Sequence, residues 1–490
     1  MIRSTRGRTR VAIVGPLLLL CPPAAAQFGN EWASFTEDPS RLVAGTISSL
    51  ANEVDFAWGD LDLDGWTDLV VVRKQPFSTP GKRTNILLMN DHGVLVDSTG
   101  QYAAASDVPG DFGFLTPTND RDVVISDLDQ DGWPDVVTAT TISTGDPKHL
   151  GHPRIYMNLG EDAGGKWLGL RYEEARFPQL FVFGSGAPKN PVFCAVDAGD
   201  VTGDGYPDLY FADYDSSATS SFIENPFDDL NDRLLINDGT GFFTDESQLR
   251  MTALMLESDF GTEAAIVDIN DDGFNDVMKN TALTPYYISV SYNDPANEGF
   301  FNIFDNFHTS FNPYDFDVGD LNNDGRLDVV ISQDFRDRYR YNLGNDALGR
   351  VIWGPAKVFT FLEGKDDGFA GNNLVADLDG DGWNDAIYCD VDPDIPGIDR
   401  RVHVYHNPGG AVGEEITLIE EREQPGPGGW LGVKGFYESD LGGGYDVAVF
   451  DIDHDGANDV ILGRAAGTFV WMNEASPVFC QEDLGYGGPG

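Results

Sequence analysis

The feature that most constrains this chain is a nine-residue acidic pattern, D-x-(D/N/T)-x-D-G-x-x-D, which occurs seven times between Asp60 and Asp459. The first copy reads DLDLDGWTD, the last reads DIDHDGAND, and successive copies start 52–74 residues apart. A pattern that recurs at this spacing is typical of a repeat protein, in which each unit buries its faces against its neighbours. The sequence therefore predicts one large repeat domain.

Short apolar runs rich in β-branched and aromatic residues flank each acidic pattern, such as LVVV after Asp68 and VVIS after Asp328. Another run ends in asparagine in every repeat, as in ILLMN at Asn90 and FVWMN at Asn473. Runs of this length between Gly, Asp and Asn turns predict β-strands. We predict an all-β, seven-bladed β-propeller of four-stranded antiparallel blades, with the acidic pattern joining the first two strands of each blade.

The seventh blade lacks a clear fourth strand after Asn473, and the N-terminal segment is a candidate for it. The segment from Trp32 to Leu42 matches the fourth run of the third repeat, Gly241 to Leu249. We predict that residues 32 to 38 complete the last blade and so remove open sheet edges, which invite aggregation. The alternative is a strand from Pro477 to Gln481.

The acidic pattern suits calcium, a hard cation that takes six to eight oxygen ligands. Side chains at positions 1, 3 and 5 of a tight loop converge, Gly at position 6 permits the turn, and Asp at position 9 closes the site. Plain polar turns are the alternative, but carboxylates crowded in one loop repel one another without a cation. An EF-hand is excluded because position 12 is never acidic.

We predict up to seven structural calcium ions, held in each loop by the side chains at positions 1, 3, 5 and 9 and by the carbonyl at position 7. The predicted ligands are Asp60, Asp62, Asp64, Trp66, Asp68; Asp127, Asp129, Asp131, Trp133, Asp135; Asp200, Thr202, Asp204, Tyr206, Asp208; Asp268, Asn270, Asp272, Phe274, Asp276; Asp320, Asn322, Asp324, Arg326, Asp328; Asp377, Asp379, Asp381, Trp383, Asp385; and Asp451, Asp453, Asp455, Ala457, Asp459. Thr202, Asn270 and Asn322 lower the charge of three loops, where weaker binding is expected.

The N-terminus predicts export. Four arginines precede the apolar run from Val11 to Leu20, and Ala24–Ala26 gives a small-residue cleavage site, so residues 1–26 are assigned to a signal peptide. The propeller is assigned to 27–483 and a flexible Gly-rich tail to 484–490. We expect a secreted or cell-surface monomer without a membrane span. Cys194, Cys389 and Cys480 are expected to be buried thiols, although a disulfide between two of them is the alternative.

The net charge of the whole chain is −50, from 81 acidic and 31 basic residues. A chain of this charge repels polyanions, which argues against nucleic-acid binding, and anionic membrane surfaces are disfavoured for the same reason. The expected partners are a polysaccharide or an extracellular protein.

The loops and their flanking strands resemble the FG-GAP/VCBS repeat of the integrin α-chain head and of many exported bacterial proteins, and the resemblance covers nearly all of residues 44–473. It implies a seven-bladed propeller with calcium in the seven loops. The Phe-Gly signature matches at Phe260-Gly261, whereas Gly186-Ala187-Pro188 precedes its loop. Because integrins carry the calcium motif in only some blades, the chain is more similar to the bacterial set. Members of the family include adhesins, lectins and polysaccharide-active enzymes.

Three functions stay open at this point: a binding or adhesion module, which we favour, a calcium-dependent polysaccharide lyase, and a structural part of a cell-surface assembly. No G-x-S-x-G or H-E-x-x-H motif is present, and His149 and His152 beside Lys148 give only a weak acid–base signal. We therefore predict no catalytic activity. The ligand-binding residues are unknown, but long loops on the other face carry aromatics that suit sugar stacking or a protein partner, or that pack the loops: Phe112, Phe114, Phe181, Phe183, Tyr214, Phe222 and Phe227.

Overall fold

The computed structural model describes most of the chain from Asn30 to Asn473. The described residues are 30–43, 53–75, 81–143, 145–214, 230–257, 260–283, 286–334, 336–359, 370–390, 402–420, 424–426, 429–434, 444–464 and 467–473. The predicted signal peptide, the alternative closing strand 477–481, Cys480 and the tail 484–490 lie outside these residues.

Seven sheets of four or more strands follow one another along the described part of the chain, and each holds one acidic loop between its first two strands. This arrangement confirms the predicted seven-bladed propeller. Blades 1 to 4 consist of Glu53–Gly59, Asp68–Lys74, Ile86–Asn90 and Leu95–Asp97; Asp120–Ser126, Asp135–Thr140, Arg154–Asn158 and Leu170–Tyr172; Phe193–Gly199, Asp208–Asp213, Arg233–Asn237 and Phe243–Asp245; and Ala264–Val267, Asp276–Thr281, Tyr287–Asn293 and Phe301–His308.

Blades 5 to 7 keep the same order with local changes. They consist of Pro313–Gly319, Asp328–Gln333, Arg338–Arg340 and Lys357–Val358; Ala370–Ala376, Asp385–Asp390, Val402–His406 and Ile419–Glu420; and Gly444–Phe450, Asp459–Arg464, Gly467–Asn473 and Asn30–Glu37. Blade 5 inserts a hairpin, Asn342–Asn345 with Val351–Trp353, between its third and fourth strands.

Short additional elements decorate the blades. Parallel strands extend blades 1, 2 and 7 at their outer edges, and they are Leu42–Val43, Ala105–Ser106 and Gly429–Lys434, the last of which pairs with Gln424–Gly426. Helical turns among the described residues are Thr99–Tyr102, Lys148–Gly151 and Ser247–Arg250, with 3-10 turns at Pro39–Arg41, Gly113–Leu115 and Glu174–Arg176.

The N-terminal strand closes the ring, as predicted. Phe35 lies opposite Asn473 and Glu37 lies opposite Trp471 in an antiparallel ladder. The backbone N–H of Asp38 also donates to the carbonyl of Val470 at 3.0 Å. The side chain of Phe35 is buried, which anchors the strand in the last blade.

Hydrophobic clusters lie between neighbouring blades, because a blade has two apolar faces. Val124 of blade 2 shares a cluster with Val196 of blade 3. Phe56 of blade 1 shares another with Val447 of blade 7, so apolar packing also crosses the closure. Each fully buried aliphatic or aromatic side chain contributes about 1.5–3 kcal/mol relative to exposure.

Buried aspartates on the first strands join the blades near the centre of the ring. The carboxylate of Asp122 accepts the backbone N–H of Val196 in the next blade at 2.7 Å. In the same way Asp446 of blade 7 accepts the N–H of Phe56 in blade 1 at 2.7 Å. Part of the acidity of this chain therefore lies in the interior, where it satisfies backbone donors.

The up-and-down order of the strands gives the ring two distinct faces. The acidic loops and the turns between the third and fourth strands lie on one face, which we call the acidic-loop face. The loops between the second and third strands, and the connections from blade to blade, lie on the opposite face. At six of the seven junctions between blades the first strands of the two blades contact one another, and between blades 4 and 5 the second strand of blade 4 contacts the first strand of blade 5.

Candidate metal centres

Each acidic loop is folded by hydrogen bonds from its own backbone to its carboxylates. In blade 1, Asp60 accepts the N–H groups of Asp64 and Gly65 at 3.0 and 2.9 Å. Asp64 accepts the N–H of Trp66 at 2.8 Å, and Asp68 accepts that of Leu61 at 3.0 Å. The orientations of the carboxylates at positions 1, 5 and 9 are therefore set by backbone donors of the loop.

Two of these hydrogen bonds recur in all seven loops. The N–H of the position-6 glycine donates to the position-1 carboxylate at 2.7–2.9 Å. The N–H of position 7 donates to the position-5 carboxylate at 2.8–3.0 Å. Position 4 adopts a positive φ, for instance 56° at Leu63 and 60° at His454. The sequence pattern did not reveal this position, because only two of the seven loops place glycine there.

Carboxylates converge in the four loops that carry Asp at position 3. In each, one oxygen from positions 1, 3 and 9 lies within 4.8 Å of the others. These sets are Asp60, Asp62 and Asp68; Asp127, Asp129 and Asp135; Asp377, Asp379 and Asp385; and Asp451, Asp453 and Asp459. Such partly buried acidic clusters can hold a metal ion.

The electrostatics of the loops also fit a cation. Burial, together with the charges of Asp64 and Asp60, raises the pKa of Asp62 to about 6. Burial raises the pKa of Asp459 to about 7, with smaller contributions from neighbouring aspartates. Among the described residues, Asp62, Asp127, Asp129 and Asp453 each keep one buried carboxylate oxygen without a hydrogen-bond partner. An oxygen ligand set with free acceptors is what calcium requires, so these residues fit the ion that the sequence predicted.

Two of the three loops without Asp at position 3 contain an additional contact from a side-chain nitrogen of the loop to a predicted ligand. Asn270 donates through Nδ2 to Asp272 at 3.1 Å, which occupies an oxygen that an ion would use. The guanidinium of Arg326 pairs with Asp324, and its Nε donates to the carbonyl of Asn342 at 2.8 Å. The coordination predicted for all seven loops, including the carbonyl of Arg326, stays a prediction.

The asparagine that ends each third strand connects a loop to the preceding blade. Its side-chain amide donates to the position-2 carbonyl of the preceding loop at 2.7–3.0 Å in all seven blades. In blade 1 this bond runs from Asn90 to Ile452 of blade 7, so it also closes the ring. The sequence shows that these asparagines recur, but it does not identify their partners. The partners lie 73–109 residues earlier in the chain, or 362 residues later at the closure of the ring.

A polar group that sequence reasoning missed lies at the centre of the face opposite the acidic loops. We call Glu53, Lys74, Arg121, Cys194 and Tyr214 the central cluster. Glu53 pairs with Lys74 at 2.6 Å and with Arg121 at 3.5 Å, and the Arg121 guanidinium lies 4.7 Å from the ring centre of Tyr214. Burial raises the pKa of the Cys194 thiol to about 12, although the nearby Arg121 and Lys74 act in the opposite direction. Cys389 is also a buried thiol.

The aromatic residues expected on the binding loops divide into exposed and packed rings. Phe112 and Phe181 expose 61% and 48% of their surface. Phe114, in contrast, is buried, which is the loop-packing alternative for this ring. Phe183 packs under the Arg233 guanidinium at 3.7 Å, and Tyr214 belongs to the central cluster. Phe222 and Phe227 lie outside the described residues.

The loop of blade 2 that carries Lys148, His149 and His152 is held in place by hydrogen bonds of its side chains to neighbouring groups. The ammonium of Lys148 donates to the carbonyls of Glu174 and Phe177 at 2.9 and 2.6 Å. The ring of His152 is buried, with Nε2 3.1 Å from the amide nitrogen of Gln179. Burial, with a smaller effect of Lys148, lowers the pKa of His152 to about 4.

Comparison with family models and with curated proteins gives no match. Among solved structures, the BP39L lectin from Burkholderia pseudomallei is similar at 12% identity and a TM-score of 0.47, over 88% of this chain and 97% of the lectin. A protein from Lactobacillus plantarum is similar at 11% identity and 0.41, over 74% and 82% of the two chains. The Tc holotoxin pore of Photorhabdus luminescens is similar at 13% identity and 0.33, over 84% of this chain and 16% of the toxin chain.

Within the described residues, no helix is long and apolar enough to cross a membrane. The propeller architecture itself follows from the strand order and pairing given above.

Proposed function

We propose that this protein is an exported, calcium-stabilised propeller of the FG-GAP/VCBS type, which binds an extracellular carbohydrate or protein ligand and catalyses no reaction. The observation that carries the proposal is the convergence of three carboxylates in four of the seven loops. In each of these loops the carboxylates at positions 1 and 9 accept backbone N–H groups. The basic and apolar N-terminal sequence supports export.

In this proposal calcium has a structural role: it would neutralise the loop carboxylates and fix the turn between the first two strands. The side chains of positions 1, 3, 5 and 9 would hold it. At millimolar calcium, sites with the affinity of extracellular modules add about 0.4–1.4 kcal/mol each by mass action. Seven such sites would together add about 3–10 kcal/mol, which is comparable with the stability of a whole domain.

The ligand is proposed to bind on the face opposite the acidic loops. That face presents Phe112 and Phe181 on the connections into blades 2 and 3, and both rings are largely exposed. Exposed aromatic rings suit the apolar faces of sugars and the hot spots of protein interfaces. The acidic loops hold the blades that carry these connections, so calcium would act on ligand binding through the scaffold.

One observation favours a second candidate, a polysaccharide lyase. In the central cluster, Arg121 and Lys74 flank Glu53, and Tyr214 lies beside Arg121. A lyase needs a cation to neutralise the substrate carboxylate and a base to remove a proton. However, burial raises the pKa of Tyr214 in spite of Arg121, and a phenol with a raised pKa is a poor base at neutral pH. Binding therefore stays the first candidate.

The test is to incubate the mature protein with a panel of neutral and acidic polysaccharides in millimolar calcium, and to measure both retention and new unsaturated ends. We expect retention without product, and weaker retention by the Phe112→Ala/Phe181→Ala double variant. Phe242→Ala is the matched control, because this ring is 40% exposed on the acidic-loop face.

Each other outcome has a stated meaning. New unsaturated ends that disappear in Tyr214→Phe would replace the proposal by the lyase. Absence of both signals would exclude the carbohydrates tested and leave a protein ligand. A thermal melt in chelator that coincides with the melt in calcium would refute the structural role of the ion.

A further inference from the structure

Blade 6 differs from the other six blades at the residue before the recurring asparagine. Here the third strand places His406, whereas the other blades carry methionine, isoleucine or tyrosine. The equivalent residues are Met89, Met157, Ile236, Tyr292, Tyr341 and Met472. Blade 6 alone therefore offers a nitrogen ligand beside its acidic loop at this position.

The imidazole of His406 lies beside two carboxylates of the blade 6 acidic loop, those of Asp379 and Asp381. Its Nε2 lies 3.5 Å from Oδ2 of Asp379. One ligand atom from each of Asp379, Asp381 and His406 lies within 4.8 Å of the other two. The histidine comes from a different strand than the loop, so the third ligand is brought to the loop by the sheet and not by the loop sequence.

The chemistry of this set differs from that of the all-oxygen loops. Calcium prefers oxygen, whereas imidazole is a preferred ligand of zinc and other borderline divalent ions. In a tetrahedral zinc site with bonds of about 2.0–2.1 Å, neighbouring ligand atoms lie about 3.3–3.4 Å apart. The separation of 3.5 Å between His406 and Asp379 is close to that value, and the other two pairs of ligand atoms in the set lie within 4.8 Å.

We propose that blade 6 binds a borderline divalent transition-metal ion, such as zinc, through Asp379, Asp381 and His406. This inference rests on the proposed function in one respect: Asp379 and Asp381 are also among the ligands proposed for calcium in this loop, and Asp379 belongs to the converging set Asp377, Asp379 and Asp385. The acidic loop of blade 6 thus discriminates between ions by a residue outside the repeat pattern.

The test uses the metal-free mature protein in millimolar calcium, titrated with zinc by calorimetry and with cobalt(II) by visible absorption. We expect the wild type to bind one zinc ion in the presence of calcium, and cobalt to show the absorption of a low-symmetry site with a nitrogen ligand. His406→Met introduces the residue of blades 1, 2 and 7. It should weaken zinc binding by at least about tenfold, since loss of an outer partner of a metal ligand already costs about 10–100-fold.

His92→Asn is the matched control, because His92 is an exposed histidine paired with Asp91 at 2.9 Å on the same face. Unchanged zinc affinity in this variant supports the proposal. Zinc affinity that survives His406→Met, or that is lost in His92→Asn, would overturn it, as would the absence of a zinc site in calcium.

The thermal shift caused by calcium separates the two proposals. His406→Met should keep this shift, because the all-oxygen loops are unchanged, and the shift also shows that the variant is folded. If zinc binds but calcium has no effect, the calcium role fails and the site in blade 6 stands. If calcium stabilises both proteins and neither binds zinc, the site in blade 6 fails and the calcium role stands.

Discussion

The amide that links neighbouring blades gives a quantitative prediction at Asn158. Its Nδ2 donates to the carbonyls of Leu61 and Pro134 at 2.8 and 2.9 Å, and its Oδ1 accepts from Trp167 Nε1 at 2.8 Å and from the N–H of Gly160 at 3.1 Å. Asn158→Ala removes four hydrogen bonds at a buried place. At about 1 kcal/mol for each bond, the loss is about 4 kcal/mol in the free energy of unfolding.

The measurement is chemical denaturation in calcium, followed by tryptophan fluorescence and circular dichroism. The control is Asn302→Ala, because Asn302 donates only to Asp294 at an exposed position. We expect a change within about 0.5 kcal/mol for this surface variant. If Asn158→Ala also stays within about 1 kcal/mol of the wild type, the inter-blade amide does not stabilise the ring and the reasoning is refuted.

The burial of Phe114, the pKa values of His152 and Asp62, and the ion pair of Arg326 give four more predictions. Phe114→Ala should destabilise the fold by about 3–5 kcal/mol, whereas Phe112→Ala should change stability by less than about 0.5 kcal/mol, as measured by denaturation. The pKa of His152 is about 4 in the folded protein, below the unfolded value of about 6.5. The free energy of unfolding should therefore decrease as the pH falls from 6.5 toward 4. His152→Gln should remove about 3 kcal/mol of this pH-dependent change, as measured by denaturation at both pH values. The raised pKa of Asp62 means that the folded protein favours the protonated carboxyl. In chelator, the free energy of unfolding should therefore fall as the pH rises through about 6. The stabilisation by calcium should increase over the same interval. Arg326→Gln removes the cation paired with Asp324, so calorimetry should show tighter calcium binding by the variant, and an unchanged isotherm would contradict this role of Arg326.

The sequence by itself determined the blade number, the strand pattern and the closure of the ring. These properties are local or repeated: the Asp60 to Asp68 pattern folds through hydrogen bonds within nine residues, and seven copies require seven blades. The N-terminal strand was predictable because its segment matches the fourth run of another repeat. The convergence of carboxylates at positions 1, 3 and 9 followed from the same spacing.

Only the tertiary structure decided which residues meet across blades. Asn158 reaches Leu61, and Arg121 reaches Glu53 and Tyr214, because packing of the sheets brings together residues far apart in the chain. The burial of Phe114 was decided in the same way. A local sequence pattern predicts the hydrogen bonds within its own segment. Contacts between blades, in contrast, depend on how the seven sheets pack around the centre of the ring.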